Sequence, residues 1–406
     1  MRVNYGQTVH GEEEIAAVVE VLRTSTQMGR RVREMQDRVA GLFAKPHGIM
    51  VNSGSSANYL AVELLKLPEG SEVITPALTF ATTVAPIVRG RLIPAFVDAA
   101  EATYNIDVDA IEAMITPRTR AMMIPSLIGN LPDWDRIWEI AEAHALMVIE
   151  DSADTLGATL RGTSTGTRSH ISTTSFYGSH VINAAGNGGM VCVADEDLAR
   201  RALLLRSWGR TSSLFVESES IDARFNVDLD GISYDAKFLF EELGYNFEPS
   251  EMGAAFGLGQ LNKLDRNIAT REANFQRQYN FFKTYEEWFD LPRQMQGSRT
   301  GWLAFPLTIR PGAPFTRRDM QIWFEERDVQ TRPVFTGNIL RQPAMKTVAS
   351  SISPGGYPVA DAVMRGGILL ACHHGLEDAQ LDYMHETFEA FARSRASAPV
   401  RGAANA

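Results

Sequence analysis

Between about residue 47 and residue 195 the chain alternates short, almost wholly apolar runs with stretches whose apolar residues recur three and four positions apart. The runs HGIMVN, SEVITPA, RAMMIPSL, ALMVIED and GMVCVAD are too apolar to keep one face in water, which predicts strands covered on both sides. SANYLAVELLKL and DWDRIWEIAEAHA between them carry the helical period. Together they predict an α/β fold with a mostly parallel central sheet and helices on both faces. Ligands of such sheets bind beyond the carboxyl ends of the strands, so the residues following each run are the first places to look for chemistry.

After residue 195 the pattern turns helical and charged, through DEDLARRALLLRSWGR and EMGAAFGLGQLNKLDRNIATREANF. Gly253 to Gly259 has the look of a glycine-rich phosphate loop, but no strand precedes it, and small residues also serve where helices pack closely. From Trp302 a second set of strand-like segments begins (WLAFPLTIR, VQTRPVFTG, GGILLACHH), with the helices MQIWFEERD and LDYMHETFEAFAR. The expected division is an N-terminal arm and large domain over 1–265, a smaller C-terminal α/β domain over 266–393, and a frayed tail over 394–406.

Composition narrows the function. With 39 Lys and Arg against 49 Asp and Glu the net charge is −10, which leaves no broad basic surface for nucleic acid. Two cysteines, Cys192 and Cys372, supply neither a disulfide framework nor a four-thiolate cluster, and point to a reducing compartment such as the cytoplasm. No apolar stretch reaches the roughly 18 to 20 residues of a membrane span, so no membrane partner is expected. The N-terminal MRVNYGQTVHGEEE lacks the apolar centre of a signal peptide.

Three segments carry candidate chemistry. Asn52-Ser53-Gly54-Ser55-Ser56-Ala57-Asn58 follows an apolar run and opens a helix, where backbone N–H groups and hydroxyls suit a phosphate; a serine N-cap with a tight turn would use the same residues. Ile149-Glu150-Asp151-Ser152-Ala153-Asp154 ends a strand in carboxylates, and a buried Asp151 would seek a cation such as a protonated pyridine nitrogen or else cap the next turn. Thr173 to His180, followed by Gly186-Asn187-Gly188-Gly189, offers Ser175 and Ser179 to an oxyanion and His180 to proton transfer, although a histidine in such a place is often structural.

The order GSSAN, TPALTFATT, VDAAEATYNIDVDAI, IEDSADTLGA, SFYGSHVINAAGNGGM and ELGYNFEPSEMGAAFGLGQL resembles the DegT/DnrJ/EryC1/StrS family over nearly the whole chain. The resemblance implies a fold-type-I enzyme acting on nucleotide sugars with pyridoxal 5′-phosphate (PLP) or pyridoxamine 5′-phosphate (PMP). It implies Gly54, Ser55 and Ser175 at the phosphate, Phe80 stacked on the pyridine, Asp151 on its nitrogen and Asp154 near its hydroxyl. Asn246 in the GYN motif would reach the phosphate of a neighbouring subunit, so a homodimer with shared sites is implied.

One departure matters most. His180 stands where the family's aminotransferases have the lysine that holds the cofactor covalently, and an imidazole cannot form that bond. Histidine there marks the family's sugar 3-dehydratases, which implies PMP as the working form, L-glutamate as amino donor and a nucleotide-linked 4-keto-6-deoxyhexose as substrate, with GDP-4-keto-6-deoxymannose favoured. A second histidine-bearing branch uses an iron–sulfur cluster, but a cluster takes about four thiolates and SWGR is followed by TSSLFVESES with no cysteine, so no cluster is expected. Asn187 replaces a common glutamate, and the loop from His180 to Gly188 is one residue longer than usual. Arg332 in TRPVFTGNIL is a candidate for substrate phosphate or sugar, or for a surface ion pair. An aminotransferase with an unusual base, and a non-catalytic nucleotide-sugar-binding homologue, are the alternatives.

Overall fold

The computed structural model describes residues 1–215 and 221–396. Seven strands form the central sheet: β1 (His47–Val51), β2 (Glu72–Pro76), β3 (Ile93–Val97), β4 (Thr119–Pro125), β5 (Met147–Asp151), β6 (Ile171–Ser175) and β7 (Gly189–Val193). Their order is β1-β7-β6-β5-β4-β2-β3. The pairs from β3 through β6 are parallel, and β7 runs antiparallel to both β1 and β6. The reason lies in the connection. Residues 176–188 between β6 and β7 contain no helix to carry the chain back along the sheet, so β7 returns in the opposite sense and the loop stays at the strand ends.

Side chains along each strand alternate between two apolar layers, as the pleat requires. Val73, Met123 and Ile149 face the layer beneath the helix α2 (Gly54–Leu64), whereas Ile74, Met122 and Val148 face Trp134 and Ile140 on the other side. Two strands lay outside the apolar runs read from the sequence, and β6 explains why. ISTTS reads as polar, but its hydroxyls are consumed inside the fold: Ser172 donates to Glu150 at 2.8 Å, Thr173 to Asn58 Oδ1 at 2.6 Å and Thr174 to the Ser152 carbonyl at 2.9 Å.

The glycine-rich segment is a helix, α3 (Glu251–Leu261), not a phosphate loop. A Cβ on Gly257 would sit 2.9 Å from Met35 Cε, and one on Gly253 3.0 Å from the Ala184 carbonyl, so close packing explains the small residues. Glu251 accepts from the backbone N–H groups of Gly29, Arg31 and Val32 and so caps the helix α1 (Arg30–Leu42). The next helix, α4 (Leu264–Phe282), reaches from the large domain into the small one.

The region expected as a small domain contains a separate four-stranded antiparallel sheet, β8 (Phe289–Asp290), β9 (Ala304–Ile309), β10 (Arg332–Pro333) and β11 (Gly367–Ala371), in the order β8-β9-β11-β10. VQTRPVFTG contributes two residues to it rather than a full strand. Pro333 has no N–H to give, and the chain then turns with Gly337 N bonded to the Val334 carbonyl. That loop is tied to the large domain by Thr336 Oγ1 to the Thr79 carbonyl at 2.6 Å and by Ile339 N to the Ala77 carbonyl at 2.9 Å. The last helix, Asp378–Ala396, runs three residues into the segment expected to fray, because Arg395 stacks on Phe391 and Ser394 bonds the Phe391 carbonyl. The rest of that segment, 397–406, lies outside the described residues.

Candidate active site

The carboxyl ends of β4, β5 and β6 open into a cavity of about 460 Å³. Gly54, Ser55, Phe80, Asp151, Asp154, Ser175 and His180, separate in sequence, all line it. Asn246 and Arg332 do not. Asn246 is exposed, with its carbonyl 3.5 Å from Asn52 Nδ2 at the outer edge of the Ser53 turn. Arg332 is also exposed; its guanidinium lies over the ring of Tyr5, 5.4 Å from the centroid, and 3.9 Å from Glu325.

The end of the cavity at Ser53 is built by contact between backbone and small side chains. Ser53 caps α2, its Oγ accepting from Ser56 N at 3.1 Å, and turns the helix's positive end toward the cavity. Gly54 is packed so tightly that a Cβ there would lie 2.5 Å from Ser175 Cβ; one on Gly189 would lie 2.3 Å from the Ser53 carbonyl. Only hydrogen fits at either position, which keeps the helix terminus and Ser175 side by side, as a bound phosphate requires.

Asp151 lies deep between β5 and α2. Its Oδ2 accepts from Asn58 Nδ2 and Thr83 Oγ1, both at 2.8 Å, and its Oδ1 has a 3.3 Å bond from Ala153 N. These partners are neutral, and burial pushes the carboxyl's pKa up from its ordinary value. A cationic ring nitrogen is the kind of partner such a group lacks, so a pyridinium fits here. Phe80, at the mouth, meets Phe335 edge-on with 5.7 Å between centroids.

His180 stands over the same cavity. Its Nδ1 is 3.1 Å from the Ser175 carbonyl, an acceptor only, so Nδ1 carries the hydrogen and Nε2 keeps a lone pair. Burial pushes its pKa down to about 4, which leaves a neutral imidazole at pH 7. Nε2 is 3.7 Å from Asp154 Oδ1, beyond hydrogen-bond range, while Asp154 Oδ2 accepts from Ile128 N at 2.9 Å. Burial raises Asp154 to about 7, so His180 and Asp154 face each other as two groups that both resist ionisation.

Among the described residues no lysine lines the cavity. Lys45 is buried elsewhere and spends its ammonium on the carbonyls of Gly166 and Ser169. Sequence reading placed Asn58 in the first candidate segment without its bond to Asp151, and gave no role to Thr83, Tyr5 or Phe335. Asn58 alone left a signal, a polar residue on the buried side of an otherwise apolar helix. Thr83, Tyr5 and Phe335 come from three other segments that only folding brings to the site.

The arrangement is that of a fold-type-I PLP enzyme, and residues 8–389 match the DegT/DnrJ/EryC1/StrS aminotransferase family, to which the chain belongs. It is 34% identical to a dTDP-4-dehydro-2,6-dideoxy-D-glucose 3-dehydratase of Saccharopolyspora spinosa, over 95% of this chain and 85% of the relative. An E. coli GDP-4-keto-6-deoxy-D-mannose-3-dehydratase with bound hydrated PLP superimposes with a TM-score of 0.86 at 27% identity, over 95% of this chain and all of that one. A GDP-4-keto-6-deoxymannose-3-dehydratase with a trapped PLP-glutamate geminal diamine gives 0.84 at 25% identity, over 95% and 100% of the two chains. The family ties this chain to PLP-dependent modification of sugars.

Proposed function

We propose that this chain is a PMP-dependent nucleotide-sugar 3-dehydratase that removes the C3 hydroxyl of a nucleotide-linked 4-keto-6-deoxyhexose, GDP-4-keto-6-deoxymannose being favoured, to give the 4-keto-3,6-dideoxy sugar. The observation that carries this reading is a neutral, cavity-facing His180 in a site lined by no lysine. Such a site holds its cofactor by contacts alone and moves protons with an imidazole.

When bound, the cofactor supplies an amine that condenses with the 4-keto group and a ring that accepts electrons. The chain's own residues would do the rest. Ser53, Gly54, Ser55 and Ser175 hold the phosphate, Asp151 holds the ring nitrogen protonated, and Phe80 covers the mouth. His180 Nε2, held in its tautomer by the Ser175 carbonyl, takes up a proton and returns it to the departing C3 hydroxyl. General acid–base transfer of this kind contributes about 10² to 10⁴ in rate.

L-Glutamate is the expected amino donor, in keeping with the adduct trapped in the structural neighbour. No iron–sulfur cluster is expected to take part, because the chain has two cysteines, Cys192 on β7 and Cys372 after β11. The buried thiols suit the cytoplasm. The working unit would be a homodimer, because Asn246 lies outside this cavity amid exposed Phe238, Phe240, Leu243 and Tyr245, a surface suited to a second subunit.

The test is incubation with PMP, glutamate and a panel of GDP-, CDP- and dTDP-linked 4-keto-6-deoxyhexoses, with no iron or reductase, followed by mass spectrometry. Loss of one oxygen with no nitrogen gained supports the dehydratase. An amino sugar as product would make the chain an aminotransferase, and full turnover by His180→Asn would remove His180 from its role.

A further inference from the structure

Arg271 on α4 is wholly buried and outside the cavity lining. Its Nη2 donates to the carbonyls of both Ser179 and His180 at 3.0 Å, Nη1 to the Trp302 carbonyl at 3.1 Å and Nε to His374 Nδ1 at 3.1 Å. All four acceptors are neutral. Burying a cation against neutral partners is expensive, and an apolar side chain would serve packing at lower cost, so packing does not account for a guanidinium here. Two of its four bonds go to consecutive carbonyls of the His180 loop, and a third to Trp302, the neighbour of the cavity-lining Leu303.

We propose that Arg271 is a positioning residue for His180: its guanidinium pins the carbonyls of Ser179 and His180 and sets a fixed positive charge behind the imidazole. The inference rests on His180 being the base. The surroundings agree with it. Around the imidazole stand Asp154 at 3.7 Å, Tyr177 with 6.1 Å between ring centroids, and the Arg271 charge. Asp151 and Tyr5 act on Asp154 and Arg271 rather than on His180 itself. Arg332 acts on Tyr5. Behind Arg271 lie His373, His374 and Cys372 of the small domain, and burial holds both imidazoles neutral. Asp154 is itself held protonated up to about pH 7, so it does not cancel the guanidinium's effect below that pH.

The experiment follows the His180 imidazole by NMR in cofactor-free protein carrying labelled histidine, its signal identified by loss in His180→Asn. Arg271→Met should raise the His180 pKa by about a few tenths of a unit, since burial supplies most of the displacement, whereas Arg271→Lys, which keeps the charge, should move it by less than half of that. In the loaded enzyme Arg271→Lys should lower kcat about tenfold or more with KM for the sugar little changed, because the two carbonyls are released. A merely structural residue would lower folded protein or activity without moving the titration of His180. Should Arg271→Met fail to fold, His374→Phe, which leaves Nε without its acceptor, takes its place and should lower kcat in the same manner with KM little changed. An unmoved His180 titration in Arg271→Met, or undiminished kcat in Arg271→Lys, overturns the proposal. Failure of the dehydratase reading would show separately, as full turnover by His180→Asn.

Discussion

Asp154→Asn gives the sharpest test of the site's electrostatics, because it needs no cofactor and no substrate. Burial raises the Asp154 carboxyl from 3.8 to about 7 in the folded protein. Between those pH values the folded state keeps a proton that the unfolded state has lost, so the group's contribution to stability falls as pH rises, by about 1.4 kcal/mol per unit. From pH 5 to pH 7 the loss is ~2 kcal/mol, because the folded carboxyl is already half titrated at the upper end. His180 works with the opposite sign: its folded pKa of about 4 lies below the ordinary 6.5, so it withdraws stability as pH falls through that window. In the native protein the two slopes oppose each other between roughly pH 4 and 6.5. Asp154→Asn removes one of them. Its stability relative to the parent should therefore rise by ~2 kcal/mol between pH 5 and pH 7, and the His180 slope should emerge below pH 6.5. The lowered His373, His374 and His385 act alike in both proteins and cancel in the difference. Urea unfolding of cofactor-free protein at pH 5, 6, 7 and 8 and constant salt measures this difference. If the two proteins differ by the same amount at every pH, Asp154 is not a carboxyl held protonated, and the account of its pairing with His180 fails.

Two further outcomes follow from the cofactor cradle. Gly54→Ala places a methyl group 2.5 Å from Ser175 Cβ, which should weaken PMP binding about tenfold or more and cost about 1–3 kcal/mol of stability; fluorescence titration and thermal melts read both, and unchanged PMP affinity would remove Gly54 from the phosphate site. Asp151→Asn removes the partner of a protonated ring nitrogen, a charged hydrogen bond worth about 1.5–3 kcal/mol, so PMP affinity should fall about 10- to 100-fold while the cofactor-free protein, relieved of a buried carboxyl, keeps or gains stability. Equal affinity for PMP in parent and variant would refute the assignment.

The apolar runs and helical periods of this chain were enough to specify the layered α/β architecture and the edge of the sheet at which chemistry would sit. Burial on both faces leaves a mark in sequence: β2, β4 and β5 are buried at nearly every position and carry the apolar stretches VI, AMMIP and MVI. Local motifs named the residues that share a short segment with a strand end, Gly54, Ser55, Asp151, Asp154, Ser175 and His180, because strand, turn and side chain are consecutive. Tertiary structure decided what depends on partners far along the chain. β6 becomes a buried strand only because Glu150, Asn58 and Ser152 take its hydroxyls. The small-residue helix α3 has its glycines because Met35 and Ala184 press against them. His180 is a neutral imidazole because folding buries it; the Ser175 carbonyl fixes its tautomer, and Arg271, 91 residues further along the chain, bonds its loop. Protonation state is a property of the dielectric and the charges around a group, and those exist only once distant segments have packed.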